Sequence, residues 1–142
     1  MQIHRQALVR FTPEQMFDLV NEVEAYPSRF DWCLGANVSE HDGQHLVARL
    51  DLRFAGITQH FSTRNTLDRP RSIRMQFVDG PFDWLHGVWT FAPLGQEGCK
   101  VALDLDFEVS NPVTGFALRV GFQKLADRMV DDFCAEAKRM YA

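Results

Sequence analysis

The chain has 142 residues, which favours a single domain over residues 1–142, because two domains would each fall near the lower limit for a self-sufficient core. Hydrophobic residues make up 46% of it, which argues against disorder, and a net charge of −4 offers no basic excess for binding DNA. Its three widely spaced cysteines, Cys33, Cys99 and Cys134, argue against a disulfide framework and against a zinc site.

The first predicted element is a strand over residues 3–10, in the sequence MQIHRQALVRF. These residues carry charges where a signal peptide needs an apolar core, and no run in the chain approaches the roughly 18 apolar residues of a membrane span. A cytoplasmic protein without a membrane span is therefore expected, and transient contact with a membrane stays open.

A short helix is predicted next, in FTPEQMFDLVNEV (11–23). Thr12 is a good N-cap, Pro13 suits the first helical position, and Gln15 stands where a capping box requires Glu or Gln. Pro27 should end this helical region, with a second short turn around residues 25–30.

The middle of the chain, from residue 33 to residue 109, alternates apolar and polar residues with a period of two. HLVARLDLRF (45–54) and CKVALDLDFEV (99–109) show the pattern most clearly. Turn signals at residues 41–44, 55–57, 68–72, 79–82 and 94–98 separate the strands. The pattern predicts a six-stranded antiparallel meander that the first strand joins, giving a sheet of about seven strands.

The last predicted element is a long helix over residues 113–141, with Asn111 as cap and Pro112 at its start. Its apolar stripe includes Phe116, Phe122 and Phe133. The order of elements indicates an α+β fold in which a twisted sheet wraps one long helix. Because a curved sheet and a straight helix cannot touch everywhere, we expect an elongated apolar space between them.

Four local sequences resemble the coenzyme Q-binding protein family, which includes the bacterial ribosome-association toxin RatA. They are FDLVNEVEAYPSRFDWC (17–33), FSTRNTL (61–67), GPFDWLHGVWTF (80–91) and LDFEVSN (105–111). The resemblance covers nearly the whole chain and places it in the START-like, helix-grip superfamily of lipid-transfer proteins and polyketide cyclases. It implies a nonpolar cavity and, in some members, quinone or lipid binding. In RatA-type members it implies binding to the large ribosomal subunit, which blocks subunit association.

Aromatic residues on the predicted inner faces are the first candidate site, because an inner surface this aromatic suits a planar apolar ligand. The alternative is ordinary core packing. The candidate ligand-binding residues are Tyr26, Phe30, Trp32, Phe54, Phe61, Phe77, Trp89, Phe91, Phe107, Phe122, Leu125 and Met129. Tyr26, Pro27, Phe30 and Trp32 lie in a predicted loop at the mouth of the cavity. This loop either gates the cavity by closing over Tyr26 to Phe30, docks a partner, or is simply held in place by its aromatic side chains.

Basic residues on the predicted outer face are the second candidate site. Arg49, Arg53, Arg64, Arg74 and Lys100 could contact RNA phosphates, or could pair across strands with Asp51, Asp104, Asp106 and Glu108. No nucleophile–base pair and no metal-ligand spacing appears, so neither catalysis nor a metal is expected, and His86 and Glu108 are read as structural.

These patterns support two hypotheses and a weaker third. The first is a non-enzymatic protein that needs no cofactor and binds a hydrophobic molecule, such as ubiquinone or another lipid, supporting respiration as a lipid chaperone. The second is a RatA-type toxin that binds the large ribosomal subunit. The third is a cyclase-like enzyme, which the missing acid–base pair disfavours.

Overall fold

The fold consists of one antiparallel sheet, two short helices near the N-terminus and one long helix at the C-terminus. The computed structural model describes residues 1–54, 56–113 and 115–142, and for Phe54 and Ile57 it describes the backbone alone. The elements are β1 (Gln2–Val9), α1 (Pro13–Asn21), a 3₁₀ turn (Val23–Ala25), α2 (Tyr26–Arg29), β2 (Cys33–Ser39), β3 (His45–Phe54), β4 (Ile57–Asp68), β5 (Ser72–Asp79), β6 (Trp84–Leu94), β7 (Gly98–Glu108) and α3 (Gly115–Tyr141).

The sheet confirms the predicted meander. Its strand order is β1-β7-β6-β5-β4-β3-β2, and every neighbouring pair is antiparallel. Consecutive strands from β2 to β7 are neighbours, and β1 lies at the edge of the sheet beside β7. The predicted turn at residues 55–57 includes Ala55, which lies outside the described residues.

The start of α1 forms as the sequence predicts. The hydroxyl of Thr12 accepts a hydrogen bond from the backbone N–H of Gln15 (3.1 Å), and the Gln15 side chain accepts one from the backbone N–H of Thr12 (2.9 Å). This reciprocal capping box satisfies two donors that would otherwise lack partners. A bidentate pair between Arg69 and Asp18 then ties the helix to the turn after β4.

The start of α3 differs from the prediction. The helix begins at Gly115 and not at residue 113, because the side chain of Asn111 accepts a hydrogen bond from the Val113 N–H (2.9 Å) and holds Pro112 and Val113 in a turn. Phe116, predicted to face the core, is 73% exposed. It lies two residues before the buried Leu118, which places it on the opposite side of the helix.

The core lies between α3 and the inner face of the sheet. Alternate residues of every strand point inward, and α3 crosses them with a continuous buried stripe: Leu118, Phe122, Leu125, Met129, Phe133 and Ala137. Arg5, on the inner side of the edge strand β1, forms an ion pair with Asp127 of α3 and so fixes the helix against that edge.

Candidate apolar site between the sheet and the long helix

The inner-face aromatics divide into two packed groups. The first, here called the α2 cluster, surrounds Phe133 in the C-terminal half of α3. The Phe133 ring centroid lies 5.3 Å from that of Tyr26, 4.8 Å from that of Phe30 and 5.3 Å from that of Trp89. Phe30 also stacks on Trp32 at 4.8 Å with an interplanar angle of 9°. These rings fill their space with one another.

Hydrogen bonds and ion pairs hold the α2 cluster in place. The Tyr26 hydroxyl donates to the carbonyl of Val20, and the Trp32 indole N–H donates to Asp132 on α3 (2.8 Å). Burial raises the pKa of Tyr26, so its hydroxyl stays a donor. The carboxylate of Glu136, whose pKa is lowered chiefly by its hydrogen bonds from Arg139, lies 3.7 Å from the Arg29 guanidinium.

The second group, here called the Phe82 cluster, lies toward the N-terminal half of α3. Phe82 is 7% exposed, and its ring centroid lies 5.0 Å from that of Phe122 and 5.5 Å from that of Phe107. Phe61 and Phe77 complete the cluster at 5.9 and 6.1 Å from Phe82. Strand periodicity does not identify Phe82 as an inward residue, because Phe82 lies in the turn before β6.

A small cavity lies beside the Phe82 cluster, between α3 and the sheet. Its volume is about 40 Å³, and all its walls are apolar: Leu50, Phe61, Met75, Leu85, Leu103, Leu105, Phe122 and Met129 line it. Ligand pockets usually measure about 300–1,000 Å³, so this space holds no quinone ring until its walls move.

The predicted site residues therefore occupy different places. Phe61, Phe122 and Met129 line the cavity, whereas Phe77 and Phe107 belong to the Phe82 cluster. Tyr26, Phe30, Trp32 and Trp89 belong to the α2 cluster, Phe91 packs on Phe17 and Trp89, and Leu125 is buried on α3. The side chain of Phe54 lies outside the described residues.

Five cavity residues were missed: Leu50, Met75, Leu85, Leu103 and Leu105. None of the five is aromatic, so a prediction based on aromatic side chains does not include them. Their alternation along β3, β5, β6 and β7 was the signal available in the sequence, but it marks the whole inner face and not the part that α3 leaves uncovered.

The loop Gly80–Phe82 contacts two walls of the cavity, because Phe82 packs on Phe61 and Phe122. The predicted gate packs on Phe133, away from the cavity walls. Gly80 has φ +147°, and a Cβ there would lie 2.6 Å from the Cβ of Phe61, so glycine lets the loop run directly against β4. The Asp83 N–H donates to the Glu108 carbonyl (2.8 Å) and fixes the other end of the loop to β7.

Two polar side chains interrupt the inner face of β4. Thr63 and Asn65 are 4% and 5% exposed, and the Thr63 hydroxyl donates to Asn65 Oδ1 (2.7 Å). Neither His86 nor Glu108 lines the cavity. His86 is exposed and stacks on Trp84, and Glu108 pairs with Arg119 at 3.4 Å. Across the described residues, no group of three or more His, Cys, Asp or Glu side chains is arranged to hold a metal ion.

The outer face of the sheet carries charges of both signs, and Arg49 pairs with Asp51 on β3 at 3.4 Å. Asp104 contacts His4, and Asp106 lies near the N-terminal amine and His86, all on or beside β1, β6 and β7. Arg64 and Arg74, on β4 and β5, are exposed and make no ion pair with any described residue. The predicted cross-strand pairing is therefore wrong for these two arginines, because Val88 of β6 stands between Arg74 and Asp104 in the register.

No helix within the described ranges has the length and hydropathy that crossing a bilayer requires.

Similarity to known proteins extends over nearly the whole chain. The family model "Polyketide cyclase / dehydrase and lipid transport" matches residues 9–134. The chain is 43% identical over 141 residues to the ribosome association toxin RatA of Escherichia coli K12, covering 99% of this chain and 89% of that one. It is 26% identical over 136 residues to the mitochondrial coenzyme Q-binding protein COQ10 homolog B of Xenopus laevis, covering 92% of this chain and 55% of that one.

Solved structures show the same fold. An aromatase/cyclase from Streptomyces sp. R1128 matches with a TM-score of 0.89 at 17% identity, covering 100% of this chain and 96% of that one. A START superfamily protein from Mycobacterium smegmatis matches with a TM-score of 0.74 at 24% identity, covering 96% and 92%. At these identities the likeness concerns the fold alone.

Proposed function

Because this chain belongs to the START-like polyketide cyclase / dehydrase and lipid transport family, we propose that it binds an apolar ligand, a polyprenyl quinone such as ubiquinone, between the sheet and α3. The observation that carries this proposal is the wholly apolar cavity at the helix–sheet interface. Its eight lining residues include no titratable side chain, which favours a carrier over an enzyme. The likeness to a coenzyme Q-binding protein supports a quinone as the ligand.

The cavity must enlarge before a ligand can enter, and two neighbouring side chains, Phe82 and Met75, can move to allow this. Phe82 belongs to a loop and not to a strand, so it can leave the Phe82 cluster without breaking the sheet. Met75 has a flexible side chain, and its methyl group occupies the space over Gly87, 2.9 Å from where a Cβ would stand. Movement of both side chains would open the cavity outward and along the sheet.

Loading would take place at the end of the sheet that carries Phe82. Val78, Val113 and Phe116 are 54%, 87% and 73% exposed, and they lie just before the Phe82 loop or just after β7. Polyprenyl quinones reside in membranes, so this apolar rim would make transient contact with a bilayer. Burial of the quinone tail, worth about 25 cal/mol per Å² of apolar surface, would drive the transfer. In the cell the protein would support respiration as a lipid chaperone.

Titration with decylubiquinone tests this function. Saturating ligand should raise the melting temperature, since a ligand at 100 times its Kd stabilises the folded state by about 2.7 kcal/mol. Leu103→Phe should fill the cavity and abolish the shift, whereas Leu94→Phe, at a 44% exposed position, should leave it unchanged. Organic extracts of the purified protein should contain quinone by mass spectrometry. The proposal fails if neither titration nor extraction detects a quinone.

The second candidate function is association with the large ribosomal subunit in the cytoplasm. Among the relatives at 40–44% identity, proteins from four species are named ribosome association toxin. Arg64 and Arg74 supply a specific observation in its favour. In the sheet register Arg64 lies opposite Gln76, two residues from Arg74, so the two guanidinium groups are diagonal neighbours on one exposed face. Two exposed arginines in this arrangement suit RNA phosphates.

Sedimentation with purified large subunits tests the second candidate. Arg64→Glu/Arg74→Glu should release the protein from the subunit and reduce the salt-dependence slope by about 1.5, because each lost phosphate contact removes roughly 0.7–0.9. Lys124→Glu/Lys138→Glu changes the net charge equally on α3 and should bind normally. A wild-type protein that never sediments with the subunit rules this function out. Quinone binding by the arginine variant should remain intact, which keeps the two functions separable.

A further inference from the structure

The outer face of β6 carries an exposed aromatic pair that neither function proposed above uses. Trp84 is 43% exposed and the side chain of His86 is 63% exposed, and their rings stack with centroids 5.5 Å apart and an interplanar angle of 20°. The next residue on this face is Val88, which is half-buried. Single exposed apolar residues are common, but two aromatic rings stacked in solvent form a flat surface on which a further ring can stack.

A hollow lies directly beside this pair. It is open to solvent, has a volume of about 550 Å³ and is lined by residues of β1, β6 and β7, among them His86, Val88, Asp104 and Asp106. Alternate residues of a strand are about 6.6 Å apart along one face, which leaves room for one planar ring between the side chains of His86 and Val88. A ring in this place would extend the stack that Trp84 begins.

The two sides of this hollow have opposite charge. On the β7 side, Asp106 lies opposite His86 and Asp104 lies opposite Val88 in the register. On the β5 side, Arg74 lies opposite Val88. Neighbouring strands are about 4.8 Å apart, so about 10 Å separates the arginine side from the carboxylate side. A molecule that spans the hollow should therefore present an anion at one end and hydrogen-bond donors at the other.

The carboxylates on the β7 side have acceptor oxygens available. Asp104 Oδ1 lies 2.5 Å from His4 Nδ1, whereas its Oδ2 has no hydrogen-bond partner in the described part of the chain. Asp106 Oδ2 lies 4.0 Å from His86 Nε2, which is too far for a hydrogen bond. A carboxylate with free oxygens accepts two parallel N–H bonds from a pair of adjacent donors.

We propose that this hollow binds one unpaired guanine of an RNA strand. The inference rests on the proposed association with the large ribosomal subunit and specifies which RNA chemistry the outer face recognises. The base lies between His86 and Val88, and the Arg64–Arg74 pair holds its phosphate. Guanine fits because its N1–H and 2-amino group are two adjacent donors that match one carboxylate, and no other RNA base has two adjacent donors on this edge. The β7 carboxylates repel phosphate and so fix the direction in which the nucleotide lies.

The experiment compares two RNA strands by fluorescence anisotropy at one salt concentration. The first is labelled heptauridine with a central guanosine, and the second has inosine there, which lacks the 2-amino group. The wild type should bind the guanosine strand about five- to twentyfold more tightly. Asp104→Asn/Asp106→Asn should reduce this ratio to less than about twofold, because an amide has only one acceptor atom. The accompanying change in net charge affects both strands equally and cancels in the ratio. Asp31→Asn/Asp131→Asn makes the same charge change elsewhere and should keep the wild-type ratio.

A second pair of variants tests the stacking surface. His86→Ala should weaken binding of both strands by about five- to twentyfold, because the ring on which the base stacks is gone. His41→Ala removes an exposed histidine from the turn before β3 and should bind both strands as the wild type does. Both positions are exposed, so neither variant should melt more than about 2 °C from the wild-type temperature.

The outcomes distinguish this site from the ribosome function on which it rests. Equal affinity of the wild type for the guanosine and inosine strands overturns the inference, even where the protein sediments with the large subunit. A guanosine preference that persists in Asp104→Asn/Asp106→Asn overturns it as well. If GMP binds as tightly as the guanosine strand, the hollow is a site for a free nucleotide and its assignment to RNA is wrong. If the wild type prefers the guanosine strand but never sediments with the large subunit, the ribosome function fails while the guanine site stands.

Discussion

At the scale of single residues, burial controls the chemistry of the thiols. Cys33 and Cys99 are 3% and 0% exposed, and burial raises the pKa of each to about 11. Cys134 is half-buried, and burial raises the pKa of its thiol as well. The reactive form of a cysteine is the thiolate, so a raised pKa together with low exposure makes a thiol unreactive at neutral pH. These cysteines contribute to the core as small apolar side chains.

Alkylation rates test this description. With iodoacetamide at pH 7.5, Cys33 and Cys99 should react slowly, because less than about 0.1% of each thiol is ionised more than three units below its pKa. The rate should rise about tenfold per pH unit up to pH 9, since the thiolate fraction rises tenfold over that range. In denaturant all three thiols should react quickly, which serves as the control. Rapid modification of Cys33 or Cys99 in the folded protein at pH 7.5 would contradict the assignment.

At the scale of elements, α3 is held most firmly at its C-terminal half. Phe133 is 1% exposed and contacts aromatic rings from α2, from the segment before β2 and from β6. The Trp32–Asp132 hydrogen bond reinforces the same contact. The N-terminal half of the helix, in contrast, lies over the cavity and the Phe82 loop. The helix therefore has an anchored end and an end where the packing leaves room for movement.

Two phenylalanine truncations on α3 test this difference. Phe133→Ala should lower the free energy of unfolding by about 3–5 kcal/mol, because it leaves a cavity among packed rings. Phe116→Ala, on the exposed side of the same helix, should change it by less than about 0.5 kcal/mol. Urea denaturation monitored by far-ultraviolet circular dichroism measures both. Similar losses in the two variants would show that the helix does not have its anchor at Phe133.

At the scale of the whole molecule, the sheet and α3 leave a small apolar space between them, and the Phe82 loop packs beside it. Phe82 packs on rings from β4, β5, β7 and α3, so it joins four elements at the end of the sheet where ligand would enter. The cavity has a volume of only about 40 Å³. Ligand binding in this molecule is therefore expected to depend on how often the Phe82 loop opens.

Association kinetics test the role of the loop. Phe82→Ala should speed decylubiquinone association by about tenfold or more, because the side chain that closes the cavity is gone. The variant should also unfold more easily, by about 3–5 kcal/mol. Phe77→Ala removes a ring of the same cluster from β5 instead of the loop, and it should leave the association rate close to that of the wild type. Stopped-flow tryptophan fluorescence measures the rates, and equal acceleration in both variants would argue against a gate at Phe82.

Periodicity in the chain was sufficient to predict the seven strands, the capping box at Thr12 and the long C-terminal helix, since these depend on residues close together in sequence. The prediction erred at the start of α3, where the Asn111 side chain stabilises a turn in place of the first helical residues. It also erred at Arg64 and Arg74. Alternation identifies outward residues correctly, but it does not show which charged side chains are close enough to pair. Asp104 and Asp106 on β7 lie near His4 and His86 instead.

An inner face can be read from the amino acids alone, because neighbouring side chains of a strand must point in opposite directions. Which inward residues touch and which leave a space could be learned only once α3 was placed over the sheet. Packing over that surface brings the rings of the α2 cluster together around Phe133 and leaves a small cavity among apolar side chains of four strands and α3. These contacts join residues distant in the chain, and no local pattern specifies them.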